Sequence, residues 1–224
     1  SRFWSAAGLA GVWAKENTRA SIFEAMERKE TFATSGPRIK LRFFAGWDLE
    51  VDSLSGHGWL NNAYANGVPM GSNLVASSQS AVGSSPSFII QAIKDSEGAN
   101  LDRVQVIKVY LDNNGVSQEQ IFEVVWAGDR KVDTNGKLPA IGNTVDVTTA
   151  TYTNDIGAVQ LQTIWEDPTF DANQSAVYYV RVLEILTPRW TTYDAVALGL
   201  PPLSNVPTST QDRAWSSPIW YHFE

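Results

Sequence analysis

The chain has 224 residues, 43% of them hydrophobic and 18% charged, which is enough to bury a core without covalent staples. It has no cysteine, which excludes disulfides, thiolate metal sites, iron–sulfur clusters and a cysteine nucleophile, and its only histidines, His57 and His222, exclude a three-histidine metal centre. A net charge of −7 with no basic patch argues against a nucleic-acid partner, and no apolar run is long enough to span a membrane.

The opening residues Ser1-Arg2-Phe3-Trp4 contain no methionine and no signal peptide, so the chain reads as a processed product or an excised segment. Residues 6–14 are small and apolar and predict a buried strand or a tight loop entering one. Asn17 and Thr18 are good helix caps, and Ile22, Phe23, Ala25 and Met26 recur at helical spacing, so a helix is predicted over 19–29. Gly36 and Pro37 end this unit. From Arg38 the period becomes two: Ile39, Leu41 and Phe43 alternate with Lys40 and Arg42, as in a half-buried strand. Further strands are predicted at 88–94, 104–111, 120–126, 144–149, 159–165, 177–185 and 217–221. Asn114-Gly115 marks a hairpin between the strands at 104–111 and 120–126. Asp95–Gly98 and Asp133–Gly136 are turn clusters. Residues 77–87 read as a small polar loop, 193–198 as a short helix and 199–210 as a Pro-rich extended segment. The predicted fold class is mainly β: an antiparallel β-sandwich, immunoglobulin-like or jelly-roll-like. It carries a small strand–helix segment over 1–37 ahead of the sandwich at 38–224.

Few residues suggest chemistry. His57 lies between glycines, but no second histidine stands at ligand spacing. Asp48, Glu50 and Asp52 alternate and could hold Ca²⁺, or simply keep a strand edge solvated. Asp112-Asn113-Asn114-Gly115 is better explained by the hairpin than by a calcium loop. The nine tryptophans fill a core and a seam, or stack on sugars as in a carbohydrate-binding module. Arg189, Trp190 and Tyr193 fall on a predicted loop, where binding residues tend to sit. No phosphate-binding glycine loop and no nucleophile elbow occur.

Three stretches carry a resemblance: Gly8-Leu9-Ala10-Gly11-Val12-Trp13-Ala14-Lys15-Glu16-Asn17-Thr18-Arg19; Thr31-Phe32-Ala33-Thr34-Ser35-Gly36-Pro37-Arg38-Ile39; and Arg213-Ala214-Trp215-Ser216-Ser217-Pro218-Ile219-Trp220-Tyr221. Gly128-Asp129-Arg130 and Thr187–Tyr193 fit as well. Together they resemble the C-terminal part of the bacterial family of domains of unknown function DUF3604, which is itself similar to the polymerase-and-histidinol-phosphatase (PHP) superfamily of metal-dependent hydrolases. The resemblance implies an upstream barrel whose histidines and aspartates hold divalent metals that activate a water. Residues 1–37 would be the last strand–helix piece of that barrel, and a bacterial, periplasmic or secreted location is favoured over a cytoplasmic one. This chain has no His-x-His and no Asp-x-His, so it takes over no metal ligand, no cofactor and no catalytic residue.

The expected function is therefore a non-catalytic C-terminal accessory domain of a PHP-like hydrolase. Its partner would be the upstream barrel, and a small-molecule substrate would be approached by Arg189, Trp190, Tyr193, Glu16, Arg19 and Arg38. Asn17, Thr34 and Ser35 would border the same site. The alternatives are a carbohydrate-binding sandwich and a stand-alone hydrolase built on two carboxylates.

Overall fold

The computed structural model describes residues 8–47, 49, 54, 58–76 and 85–223. In chain order its elements are β1 (Leu9–Val12), α1 (Arg19–Glu27), β2 (Thr31–Thr34), β3 (Lys40–Gly46), α2 (Gly58–Asn66), β4 (Val68–Pro69), β5 (Asn73–Val75), β6 (Ser87–Ile93) and β7 (Leu101–Leu111). There follow β8 (Ser117–Trp126), β9 (Gln160–Glu166), β10 (Ala176–Glu184), β11 (Thr187–Pro188), α3 (Trp190–Ala197), β12 (Ser209–Thr210), β13 (Arg213–Ser216) and β14 (Ile219–His222).

Two sheets face each other, as the alternating pattern requires. The smaller has the order β4-β3-β6-β9 and is antiparallel throughout. In the larger, β10 pairs with β7 on one side, and β7 with β8. On its other side β10 pairs with β14 near its start and with β13 near its end, so these two short strands lie in line. β2 extends the sheet beyond β13, β1 extends it beyond β2, and β5 runs parallel to β14. Leu41 and Phe43 of β3, Phe88 and Ile90 of β6, Val104 and Val106 of β7, and Tyr178, Val180 and Val182 of β10 meet in one core cluster. These residues recur at every second position, so each strand turns one face inward. The architecture is the mainly β, antiparallel sandwich expected from the alternation.

The break between β13 and β14 falls at Ser217-Pro218, because proline has no amide hydrogen to give the ladder. Ser216 fills the gap: its Oγ accepts from the Val180 amide at 2.9 Å, and Ser217 donates its amide to the Thr31 carbonyl at 2.9 Å. The Ser-Ser-Pro wording of the motif is thus a sheet joint.

Thr18 caps α1, its Oγ1 accepting from the Ser21 amide at 3.3 Å. The helix ends at Lys29, which takes a left-handed φ of 58°. Gly71, at φ 87°, runs so close to that turn that a Cβ would collide with the Lys29 carbonyl. The helix therefore leads into a second strand, β2, which was not expected. That strand hydrogen-bonds the 1–37 piece into the larger sheet through β13.

The helix α2 was missed as well. Gly58–Asn66 carries three asparagines, Asn61, Asn62 and Asn66, in a weak helical pattern, so propensity does not announce it. It forms because Trp59 and Ala63, four residues apart, pack with Phe44 and Ile89 on the outer face of the smaller sheet. The strand expected at 144–149 is absent. A single bridge between Asp146 and Thr151 closes a turn there, with the Asp146 side chain accepting from the Thr148 amide at 2.8 Å. That Asx turn competes with the strand for the backbone. The strand expected at 217–221 begins only at Ile219, after the proline. The short helix starts earlier than expected, at Trp190. The hairpin is present, but its loop is longer than the two residues of a primed turn. Asp112 donates its amide to the Val116 carbonyl at 2.9 Å, and Gly115 takes φ 74°. His57, Trp4, the acids Asp48, Glu50 and Asp52, and the polar residues 77–84 lie outside the described residues.

Candidate functional site

Ser35 makes the first half of the site. Its Oγ donates to Asp212 Oδ1 at 2.7 Å and accepts from the Arg213 amide at 2.8 Å, tying the Thr34–Pro37 turn to β13. The second half comes from the short ribbon β11–β12 and from α3. Arg189 precedes the helix, donates Nη1 to Thr191 Oγ1 at 3.0 Å, and holds its guanidinium 5.2 Å from the Trp190 ring centre. Thr192 Oγ1 donates to the Thr208 carbonyl at 2.6 Å and locks the helix onto the returning chain. The two halves, about 150 residues apart in sequence, close a hollow of about 320 Å³ lined by Ser35, Gly36, Pro37, Arg189, Trp190, Thr210 and Asp212.

Arg189 and Trp190 are thus brought together with Ser35. Tyr193 lies exposed on α3, one turn further on. Glu16 and Arg19 are exposed at the start of α1. Arg38 lies elsewhere: its amide donates to Asp95 Oδ2 at 2.7 Å, and it lines a separate hollow with Lys40, Lys94 and Asp95. Beyond α3, Leu198, Leu200 and Leu203 are exposed and line an apolar patch with Trp190. Of the described tryptophans Trp190 is the exposed one, at 36%. The others are half-buried or buried in ring contacts and packing, as Trp47 is against Phe170 and Tyr221 and Trp165 is against Phe88 and Phe122.

A buried acid lies at the end of β10. Glu184 is 1% exposed, and its Oε1 has no hydrogen-bond partner among the described residues. Burial, followed by the carboxylates of Asp212 and Asp95, pushes its carboxyl up to about 8.

A larger cleft takes in Trp13 and Lys15 of the first motif stretch but none of the residues expected to approach a substrate. It measures about 550 Å³ and is lined by Trp13, Lys15, Arg28, Glu30, Arg42, Tyr64 and Pro69, among others. Arg42 lies 3.5 Å above the Trp13 ring centre and donates Nη1 to the Tyr64 hydroxyl at 3.3 Å. The Tyr64 hydroxyl donates in turn to Glu30, and Glu30 pairs with Arg28 at 3.3 Å. Burial, reinforced by the bond to Glu30, raises the Tyr64 hydroxyl to about 12. In the sequence, Trp13, Ala14 and Lys15 stood in the first motif stretch and Arg42 as an outward residue of an alternating strand. Tyr64 was invisible without α2.

Gly128-Asp129-Arg130 has a structural part to play. Arg130 donates to the carbonyls of Ala127, Asp102 and Pro139 at 2.9–3.1 Å and pairs with Asp102 at 2.6 Å, pinning the long excursion after β8.

Among the described residues no group of three or more His, Asp or Glu side chains is placed to hold a metal ion, and His222 is exposed at the end of β14. The donors among the described residues do not fit the metal centre of a PHP-like barrel. No helix among the described residues is long and apolar enough to cross a membrane.

A β-sandwich with a hollow where two distant motif stretches meet defines the class of protein. Residues 1–223 match the family model described as Protein of unknown function (DUF3604), and the chain belongs to that family. No curated protein and no solved structure matches it.

Proposed function

We propose that this chain is a non-catalytic accessory β-sandwich of a PHP-like, metal-dependent hydrolase. In that protein it packs on an upstream barrel and shapes access to the barrel's site through Arg189, Trp190 and Tyr193. One observation carries the reading: the family stretches around Ser35 and Arg189 converge in one hollow beside the exposed apolar patch of Trp190, Leu198 and Leu200. A contiguous apolar patch next to polar, oriented side chains is what a domain contact near a substrate entrance requires. The edge strand β1, with Leu9 exposed, offers a further place for the sheet to meet a preceding domain. The test compares residues 1–224 with a longer protein that carries the barrel, measuring divalent-metal content and hydrolysis of phosphoester and ester substrates. The expected result is metal binding and turnover by the longer protein only. Stoichiometric metal binding with turnover by residues 1–224 alone would overturn the reading.

A further inference from the structure

The cleft around Arg42 shares no residue with the Arg189 hollow, and its geometry is that of a prepared receptor. We propose that it binds a small organic oxyanion, a carboxylate or a phosphate ester, received by the Arg42 guanidinium with Lys15 and Arg28 lining the same cleft.

Four observations carry this. The first is charge. Lys15, Arg28 and Arg42 face a single lining carboxylate, Glu30, which leaves two positive charges in excess on a chain whose net charge is −7. The acid is already committed, to Arg28 and to the Tyr64 hydroxyl, and it is 3% exposed. Lys15 and Arg42 therefore stand without a carboxylate of their own among the described residues.

The second is preorganisation. A guanidinium has five N–H donors in a rigid fork. Arg42 spends one on Tyr64 and lies flat on the Trp13 indole. The relay from Arg28 through Glu30 and Tyr64 fixes the direction of that fork before any ligand arrives, so little rotamer freedom remains to be lost on binding. The remaining donors have the geometry that accepts a carboxylate or phosphate in a bidentate pair.

The third is anchoring of the walls. Trp13 donates Nε1 to the Leu41 carbonyl at 2.8 Å, and Tyr64 packs edge-on against Phe44 at 4.9 Å between ring centres. The aromatic surfaces are thus held by the core rather than by each other. The fourth is size. About 550 Å³ suits a small molecule, with Trp13, Tyr64 and Pro69 giving an apolar surface for its body.

The test is a ¹H–¹⁵N NMR titration of the whole chain at low salt with galacturonate, glucose 6-phosphate and glucose. Arg42→Gln and Trp13→Phe assign the Arg42 Nε–Hε and Trp13 indole signals. We expect a saturable shift of both signals with at least one anion, and no shift with glucose. The two anion arms tell a carboxylate from a phosphate. Added salt should weaken the binding. Arg42→Gln should weaken it at least tenfold, measured by calorimetry, and Lys15→Ala, at an exposed position, several-fold with an unchanged Tm. If Arg42→Gln fails to fold, the wild-type titration and Lys15→Ala decide. The proposal is overturned if neither signal moves with either anion up to about 10 mM, where even a millimolar Kd would be detected. It is equally overturned if glucose shifts them as far, or if binding survives both substitutions.

Discussion

The two ends of β10 each bury a carboxylate, and the two carboxylates behave oppositely. Near its start, Tyr178 donates its hydroxyl to Asp167 Oδ2 at 2.8 Å, and Lys108 Nζ reaches the same oxygen at 2.6 Å. Burial would raise Asp167, but the bonds from Lys108, the Thr169 amide and Tyr178 outweigh it and hold the carboxyl below its usual range. Tyr178 is pushed up in return, by burial and by the carboxylate it serves. At the other end Glu184 is as deeply buried, but its nearest influences are other acids, with Lys94 the one opposing cation, and it is pushed up to about 8. Burial alone does not set the charge of a buried acid; the donors and charges around it do. The first end stitches β7, β10 and the loop after β9 together. The second holds a group that is better off neutral.

The largest effect should come from breaking the first end. Lys108 is 2% exposed, and besides Asp167 it meets only Thr169 among the described hydrogen-bond partners. Asp167→Ala leaves that ammonium buried without its counter-charge, and we expect a loss of about 3–5 kcal/mol in urea unfolding. The double variant Lys108→Met, Asp167→Leu should recover much of it, because removing both charges also removes their desolvation cost. If Asp167→Ala unfolded like wild type, the network would not be what holds these strands.

The second end gives a smaller effect that depends on pH. A carboxyl whose folded value is raised binds its proton more tightly in the folded state than in the unfolded state. Stability therefore falls as pH rises from the ordinary glutamate value towards about 8, and is flat above. Each tenfold change in ionisation across that window is worth about 1.4 kcal/mol of stability. Asp167 has the opposite sign: its contribution is present above the ordinary aspartate value and is lost as pH falls below it. Taken together, the two groups place maximum stability in mildly acidic solution. Glu184→Gln should match wild type near pH 5 and melt several degrees higher at pH 9. Equal melting temperatures at both pH values would mean that Glu184 stays ionised at no cost.

The same contrast explains what the sequence could reveal. Alternation at Ile39–Phe43 and along 177–185 was readable because one face of each strand is buried, and burial with period two leaves a pattern. Thr18 was readable as a cap because capping is local. The strand β2 and the helix α2 were not, since both form against partners remote in sequence, β13 for the one and Phe44 with Ile89 for the other. The expected strand at 144–149 failed for the converse reason, because a local Asx turn at Asp146 captured the backbone. The Arg189 hollow was half legible: Arg189 and Trp190 stood out, and Ser35 stood out separately, but nothing short of the fold brings them together. The Arg42 cleft was illegible. Trp13 and Lys15 stood only within a motif stretch, and Arg28, Arg42 and Tyr64 join them only through the fold.

A third acid separates the two causes. Asp112 accepts hydrogen bonds too, but without the burial and without a cation: its Oδ1 accepts from the amides of Asn114 and Val116 at 2.9 Å each, and Oδ2 accepts from Gln118 at 2.9 Å. Those bonds, the Val116 amide first, hold its carboxyl below the usual range. No buried cation depends on it, and the amide oxygen of an asparagine accepts the same two backbone bonds. Asp112→Asn should therefore leave the melting temperature within experimental scatter of wild type, while the wild-type carboxyl titrates early by ¹³C NMR. An early titration with no stability penalty would assign the low value to the neutral donors of the turn, the Val116 and Asn114 amides first and Gln118 after them. The large penalty at Asp167 would then belong to the stranded Lys108 rather than to the loss of a carboxylate. A melting temperature that dropped as far in Asp112→Asn as in Asp167→Ala would break that division, and would locate the stability of the β7–β8 hairpin in its turn instead of in its cross-strand pairs.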